Sequence, residues 1–430
     1  MAEDAATKRT EYKIDAPRLL ERLTKLRQIG RNAAGGIDRQ LGSPADSKAR
    51  EWLQHCWQQE LGLQVRIDAI ANLWGTVPGR PLQKAIVLGS HHDTVPSGGW
   101  LDGALGVLMA TEIMQTLKEN GAVLRHPLGI VSFTGEEPNS FGVSTLGTKV
   151  LSRRLRRPEL ARLQDCRTGE KLAAAIERLG GNIAAIPDTA EPLLGPAEVA
   201  AFLECHIEQG RRLFDADEAV AAVTCITGIY REIITVRGNA NHAGTTLPIH
   251  RRDALAGAAE VVLAVEHIMR QPAMDGLTAT VGHIEVQPNA SNIIPGKVVL
   301  TLDMRTAVPA LRHLALEQLA AALGGIAARR SITIERRLDL DQPEMPLDET
   351  LRTAMEDAME ADGHPRRELV SMAGHDAANM ARLTKSAMLF VQSIDGRSHC
   401  PQEDTHAAEI AQAAQVLLDT VLLLDRRLSL

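Results

Sequence analysis

The chain is poor in aromatic residues: five Phe, four Trp and two Tyr amount to 3% of 430 positions. Stacking platforms for single-stranded nucleic acid or carbohydrate are therefore not expected. Cysteine is also scarce. Its five copies (Cys56, Cys166, Cys205, Cys225, Cys400) are dispersed and form no CxxC pair. That excludes a disulfide framework and a cysteine-ligated zinc site, and reads as reduced thiols in a cytoplasmic protein. No uninterrupted apolar run approaches the ~20 residues of a membrane span, and the charged opening MAEDAATKRTEYKID lacks the apolar core of a secretion signal. No membrane association is expected. Positive charge is not in excess either. A net charge of −7 argues against a nucleic-acid partner held by phosphate contacts.

What is present is an ordinary globular composition, 44% hydrophobic and 23% charged, in a chain long enough for two or three domains. Histidine is the plentiful residue. There are fourteen, and several sit inside glycine-rich or acid-rich clusters.

The first part of the chain alternates helix and strand. Pro17–Gln28 has helical apolar spacing, and Ser43–Leu61 reads as a helix with Ser43 as cap and Pro44 in its first turn. Gln64–Ala69 and Leu73–Val77 read as strands. Ala85–Gly89 and Leu128–Phe133 are short continuous apolar runs, suited to strands buried on both faces, with Leu101–Glu119 as a helix between them. This is an α/β pattern. The middle differs: strand Tyr230–Gly238, helix Arg251–Gln271, strands Ala279–Gln287 and Lys297–Arg305, helix Ala310–Ala328 and strand Ser331–Leu338. The order βαββαβ is that of a ferredoxin-like module. Helices at Met355–Asp362 and Asp376–Leu383, a strand at Ala387–Val391 and a helix at Ala407–Leu428 close the chain. The simplest reading is an α/β domain (residues 1–225 and 341–430) interrupted by an inserted βαββαβ domain (226–340). The basic run Arg153–Arg157 reads as a solvated helix face.

Five clusters carry candidate chemistry. Gly89-Ser90-His91-His92-Asp93 ends a buried strand, the end at which open α/β sheets bind ligands. Asp102-Gly103 precedes a helix, where Asp alone would read as a cap. Gly135-Glu136-Glu137-Pro138 follows the next buried strand; of two adjacent carboxylates there, one can ligate a metal while the other acts as general base. Glu204-Cys205-His206-Ile207-Glu208-Gln209 and Ser398-His399-Cys400 also follow apolar strands. Each taken singly is unremarkable. A parallel sheet, however, gathers such positions at one edge, and three His with Asp and Glu form a nitrogen–oxygen ligand set suited to Zn, Mn, Co or Ni. In the inserted domain His242, Asn292 and Arg305 offer donors to an anion or a developing oxyanion.

The strings GSHHDTVPSGG, LDG, GEEP, ECHIEQG, NANHAGTT, NASNIIPG, LDMR, AGHDA and SHCP, in that order, resemble the M20-type amidohydrolases that cleave ureido groups: N-carbamoyl-L-amino-acid hydrolases, with β-ureidopropionase, allantoate amidohydrolase and ureidoglycolate amidohydrolase as relatives. The likeness runs from about Gly30 to the C-terminus. It implies a metallopeptidase-like α/β/α catalytic domain, an inserted lid and dimerisation domain, and a homodimer. It further implies two divalent ions, with Asp102 bridging, His91 and His206 on one ion, and Glu137 and His399 on the other. Asp93 would orient His91, and Glu136 would be the general base. Gln209 would contact the ureido group, Asn292 and Arg305 would grip a substrate carboxylate, and His242 would stabilise the oxyanion. Gly374 and His375 would form part of the pocket wall. The implied reaction releases an amino acid, carbon dioxide and ammonia from a small ureido acid. Pro138-Asn139-Ser140, His92 and Cys400 depart from the commonest carbamoylase pattern. The EEP form resembles the ureidoglycolate branch, which commonly carries Arg where Ser140 stands. Aminoacylase or dipeptidase activity, and a non-catalytic protein on a hydrolase fold, are the alternatives; a complete ligand set with Glu136 weighs against the latter.

Overall fold

The apolar runs become buried strands in the computed structural model, which describes residues 12–429. The first eleven residues, including most of the charged opening segment, lie outside them. In chain order the strands are β1 (Gln64–Ile67), β2 (Leu73–Thr76), β3 (Ala85–His91), β4 (Leu128–Phe133), β5 (Val199–Ile207), β6 (Val220–Ile226), β7 (Gly228–Arg237), β8 (Asn241–His242), β9 (Leu277–Gln287), β10 (Ile293–Ile294), β11 (Lys297–Thr306), β12 (Thr333–Gln342), β13 (Met345–Pro346), β14 (Glu368–Ser371) and β15 (Lys385–Val391). Two compact units result: residues 1–224 with 346–430, and residues 225–345.

The first unit is built on a nine-stranded sheet of order β1-β2-β4-β3-β5-β15-β6-β13, with β14 beside β6. Its centre is parallel: β4 with β3, β3 with β5, and β5 with β15. Their carboxyl ends therefore share one edge. Ile86, Leu88, Ile130, Leu203 and Leu389 join an apolar cluster with Leu19, Leu108, Met355 and Leu417 from flanking helices. Each such Leu or Ile contributes roughly 1.5–3 kcal/mol by leaving water. Side chains alternate along a strand, so His91 and His206 leave the sheet on the face opposite to Leu88 and Leu203. A second apolar cluster joins Ile70, Phe141, Leu146, Val150 and Ile176.

The second unit has a four-stranded antiparallel sheet of order β12-β7-β11-β9. Counted by occurrence, its strands lie fourth, first, third, second, the ferredoxin-like arrangement. Helices Ala254–Met269 and Pro309–Arg330 supply Val261, Val265, Leu319 and Leu323 to a core with Val236, Val298, Leu300 and Leu302. β8 pairs with β10, so His242 lies opposite Ile293.

Several local expectations shift. The helix expected over Ser43–Leu61 is α-helical only over Pro44–His55, capped by Ser43 as its spacing suggests, and widens into a π-turn at Cys56–Glu60. Arg153–Arg157 is not a helix face. Arg153 has a left-handed backbone (φ 61°) and its guanidinium reaches the carbonyls of Pro187 and Glu191, while Arg154 donates to Asn379. The closing helix Ala407–Arg427 is, among the described residues, long and apolar enough to cross a membrane by length and composition. Run-counting passed over it because Asp419 and other polar residues interrupt it. Ile410, Ala413, Leu417, Val421 and Leu424 bury it in the core of the first unit.

Buried charge braces the loop that carries the first histidine cluster. Arg39 is fully buried; it donates through Nε to the His92 carbonyl (2.6 Å) and through Nη1 to the carbonyls of Leu26 and Ile29 at the end of helix Ala16–Arg27 (3.0 Å each). Asp46, also fully buried, accepts from Arg50 Nε (2.8 Å), His92 Nε2 (2.9 Å) and the Gly42 amide (2.8 Å). Burial alone would raise the Asp46 carboxyl, but the Arg50 charge and the His92 bond outweigh it and hold it well below the carboxylate range. This contribution to stability is present at neutral pH and is lost only in strong acid. Asp46→Ala strands a buried guanidinium and should cost about 3–5 kcal/mol, read as a lowered urea midpoint; an unchanged midpoint would refute the brace.

Candidate metal centre

Three imidazoles and two carboxylates from the strand ends meet around Asp102. His91 closes β3, His206 lies one residue from the end of β5, and the Glu136-Glu137 turn follows β4. The ring orientations are set by backbone. His91 Nδ1 donates to the Asp93 carbonyl (3.1 Å) and His206 Nδ1 to the Ile207 carbonyl (2.9 Å). In the neutral ring each Nε2 therefore carries no proton, and it is aimed inward, as metal-ligating histidines are arranged.

The distances between the inward atoms are informative. Asp102 Oδ1 stands 3.4 Å from His91 Nε2 and 3.2 Å from His206 Nε2. Asp102 Oδ2 stands 3.3 Å from His399 Nε2, which is 3.3 Å from Glu137 Oε1. These gaps exceed the 2.7–2.9 Å of a charge-assisted hydrogen bond. Two atoms ~2.1 Å from one ion at a tetrahedral angle would be ~3.4 Å apart. Glu137 Oε1 is buried and accepts no hydrogen bond. The set thus divides into His91–Asp102–His206 and Asp102–Glu137–His399, two groups that share Asp102 and fit divalent cations by donor chemistry and spacing.

The electrostatics agree. Burial would lower the His91 and His206 pKa values, but Asp102 and the carboxylates around them raise both. Asp102 and Glu137 push His399 up to about 11. Asp102, which burial would raise, is held well below its ordinary range by the three imidazoles. Burial drives the Glu136 carboxyl well above its usual value, and Glu137 adds to this against the opposing pull of His91. Glu136 Oε2 lies 3.7 Å from His91 Nε2.

The remaining candidates take clear positions. The Asp93 carboxylate is 3.7 Å from His91 Nδ1 and accepts the backbone N–H groups of Glu136 and Glu137 (3.2 Å each); it tethers the glutamate turn, while its carbonyl makes the closer contact to His91. Gln209, at φ 58°, donates from Nε2 to Asp102 Oδ2 (2.6 Å), and its Oε1 is buried without a partner. His375 is almost fully buried. Its ring meets His206 edge-on at 4.5 Å, and Nε2 pairs with Ser371 Oγ at 2.9 Å. It packs behind a ligand, next to half-buried Gly374. His92 is structural, held between Ser132 and Asp46.

His242, Asn292 and Arg305 belong to the second unit. His242 Nδ1 accepts the backbone N–H groups of Gly244 (3.1 Å) and Thr245 (3.2 Å), which leaves Nε2–H as an exposed donor. The Asn292 carbonyl accepts from Ala243 (2.9 Å). Arg305 Nε donates to Asp303 Oδ1 (2.8 Å), and Asp303 also accepts from Arg231 (2.7 Å). Sequence reasoning missed Arg39 and Glu403, which in sequence are single charged residues without a distinguishing pattern. Glu204, which opens the ECHIEQG string, was given no role of its own; it accepts from Ser90 Oγ (2.7 Å) and the Ala377 amide (2.9 Å).

Residues 87–423 match the model of peptidase family M20/M25/M40. The chain belongs to that family. It is 35% identical to an N-carbamoyl-L-amino acid amidohydrolase of Geobacillus stearothermophilus, over 95% of this chain and 98% of that one. It is 32% identical to an allantoate amidohydrolase of Bacillus subtilis (strain 168), over 92% and 94%. An amidase of the hydantoinase/carbamoylase family from Burkholderia multivorans superposes with a TM-score of 0.86 at 31% identity, over 96% and 98%. This M20 member is of the hydantoinase/carbamoylase type, a hydrolase acting on C–N bonds in a family that is typically metal-dependent.

Because the surrounding carboxylates raise the pKa values of His91, His206 and His399, protons compete with a cation for these imidazoles in this M20 protein. Titrating zinc into apoprotein should release protons, and affinity should keep rising with pH above neutrality as the raised imidazoles, His399 with its pKa of about 11 among them, give up their protons. Calorimetry in buffers of different ionisation enthalpy checks this; a buffer-independent heat would contradict it.

Proposed function

We propose that this chain is a two-metal amidohydrolase that cleaves the ureido C–N bond of an N-carbamoyl-L-amino acid or a similarly small ureido acid. The observation that carries the reading is the pair of ligand groups sharing Asp102, with Glu136 beside them and outside both. His91 and His206 would hold one ion, Glu137 and His399 the other, and Asp102 both; zinc, manganese, cobalt and nickel all suit these donors. Such ions, when bound, supply Lewis acidity to a carbonyl and lower the pKa of water.

The chain's own residues do the rest. Glu136 takes a proton from water at its carboxylate and returns it to the leaving nitrogen. Burial raises its pKa above the usual carboxylate range, the direction that favours the protonated form that hands the proton on. Asp93 holds the Glu136 backbone at the strand end. Gln209 contacts the ureido group, and its unpartnered Oε1 can accept a ureido N–H. By the family likeness Arg305 and Asn292, with His242, would reach the substrate from the partner subunit or on domain closure, the first two to grip its carboxylate. His242 offers Nε2–H to the developing oxyanion. Carbamate breakdown then gives carbon dioxide and ammonia. Allantoate or ureidoglycolate is the second substrate reading, favoured by the Glu136-Glu137-Pro138 string; N-acyl amino acids and dipeptides are less favoured.

The inserted unit is proposed as the lid and as the interface of a homodimer. Of the ten exposed large hydrophobic residues among the described ones, eight fall within 225–345, including Leu255, Leu263 and Ile284. Ile284 lies on β9, an edge strand able to pair with a second copy. The unpaired cysteines support a reducing, cytoplasmic setting.

A substrate panel tests the activity. Ammonia release from N-carbamoyl amino acids supports the reading, and turnover of dipeptides alone overturns it. Glu136→Gln should lower kcat at least about 100-fold with metal content unchanged; full activity would remove Glu136 from the mechanism. Ile284→Lys should shift the sedimentation coefficient to that of a monomer, and an unaltered value would place the interface elsewhere.

A further inference from the structure

Glu403 has no role in the reading above, yet it is 2% exposed beside the ligands. Its Oε1 accepts the backbone N–H groups of Leu101 (2.8 Å) and Asp102 (3.0 Å), and its Oε2 accepts the Ser398 hydroxyl (2.8 Å). Among the described residues no Lys or Arg pairs with it. The fit is tight. A Cβ on Gly99 would lie 1.9 Å from the Glu403 carboxyl carbon, and one on Gly103 would lie 2.3 Å from His91 Nε2. The Gly99–Gly103 turn is thus gripped between the Glu403 carboxylate and the His91 ring. Ser398 Oγ also lies 2.9 Å from Asp102 Oδ2, one hydroxyl between two carboxylates. Through its backbone Glu403 closes the neighbouring turn: its carbonyl accepts from Trp100 Nε1 (3.0 Å), and its amide donates to the Cys400 carbonyl (3.1 Å).

Of the five ligands, His91 and His206 are built into strands. Asp102 and His399 sit on turns, and His399 has a left-handed backbone (φ 56°) and a side chain 46% exposed. Its ring is approached by Asp102, Glu137 and Gln209, but its backbone lies outside the sheet. We propose that Glu403 is a positioning residue that joins the Asp102 turn to the His399 turn and thereby sets the occupancy of the Asp102–Glu137–His399 site, with less effect on His91–Asp102–His206. The inference rests on the two-ion reading. Groups that orient metal ligands in this way typically change affinity 10–100-fold when removed.

The test titrates zinc chloride into apoprotein and counts bound metal by elemental analysis, with circular dichroism as a check on folding. Wild type should bind two equivalents; fewer would defeat the two-ion reading itself, whatever Glu403 does. Glu403→Ala should weaken one equivalent about 10–100-fold, leave the other near its wild-type affinity, and regain activity at high zinc. Glu403→Gln keeps an acceptor for both amides and a donor for Ser398, and should bind both equivalents within a few-fold of wild type. Glu403→Asp keeps the charge but withdraws the oxygens by a methylene, and should weaken the same equivalent even if the alanine variant fails to fold. Two equivalents at wild-type affinity in Glu403→Asp or Glu403→Ala, or equal weakening of both, overturns the proposal.

Discussion

One buried carboxylate organises this protein. Asp102 faces three imidazoles, and Glu136, Glu137 and Glu403 are buried close to it. So many acidic groups in a water-poor pocket repel one another unless positive charge joins them. The same carboxylates raise the pKa values of His91, His206 and His399, so each imidazole is favoured in its charged form. These clustered donors are ones that could hold a metal ion.

The parallel strands make that concentration of charge possible. β4, β3, β5 and β15 run side by side and end together, so residues far apart in sequence arrive at one edge. Alternation along the strand then separates function from support. His91 and His92 are adjacent; His91 turns toward the ligands, while His92 turns away to bond Ser132 and Asp46. The buried Arg39 holds the carbonyl between them and the next turn. Identical side chains acquire opposite duties through the pleat alone.

Much of this was legible in the residues. Short apolar runs ending in Gly, His or Glu marked strands of a parallel sheet, and the candidate ligands at their ends lie together in the fold. The βαββαβ order of the inserted unit was visible as periodicity. The illegible parts share a cause: they depend on contacts distant in sequence. Nothing around Glu403 distinguishes a clamp from an exposed acid, and nothing around Arg39 says that its guanidinium caps a helix and braces a loop. Arg153–Arg157 misled because charge density says nothing about backbone conformation. The closing helix evaded a count of apolar runs because its polar residues are spaced so that its apolar ones still line the core.

The sheet order has a bearing on how the molecule comes into being. β15 lies between β5 and β6, although it is the last strand in the chain. When β5 and β6 leave the ribosome, the place between them is vacant, and it stays so while residues 225–345 emerge and can form their own core. Domains generally fold as units during synthesis, so the inserted unit can be complete while the sheet that carries the ligands still has a gap at its centre. Arrival of β15 fills the gap, and His399 follows a few residues later. A chain truncated anywhere before that point holds four of the five candidate ligands and an unfinished sheet, so an incomplete product cannot assemble the cluster around Asp102.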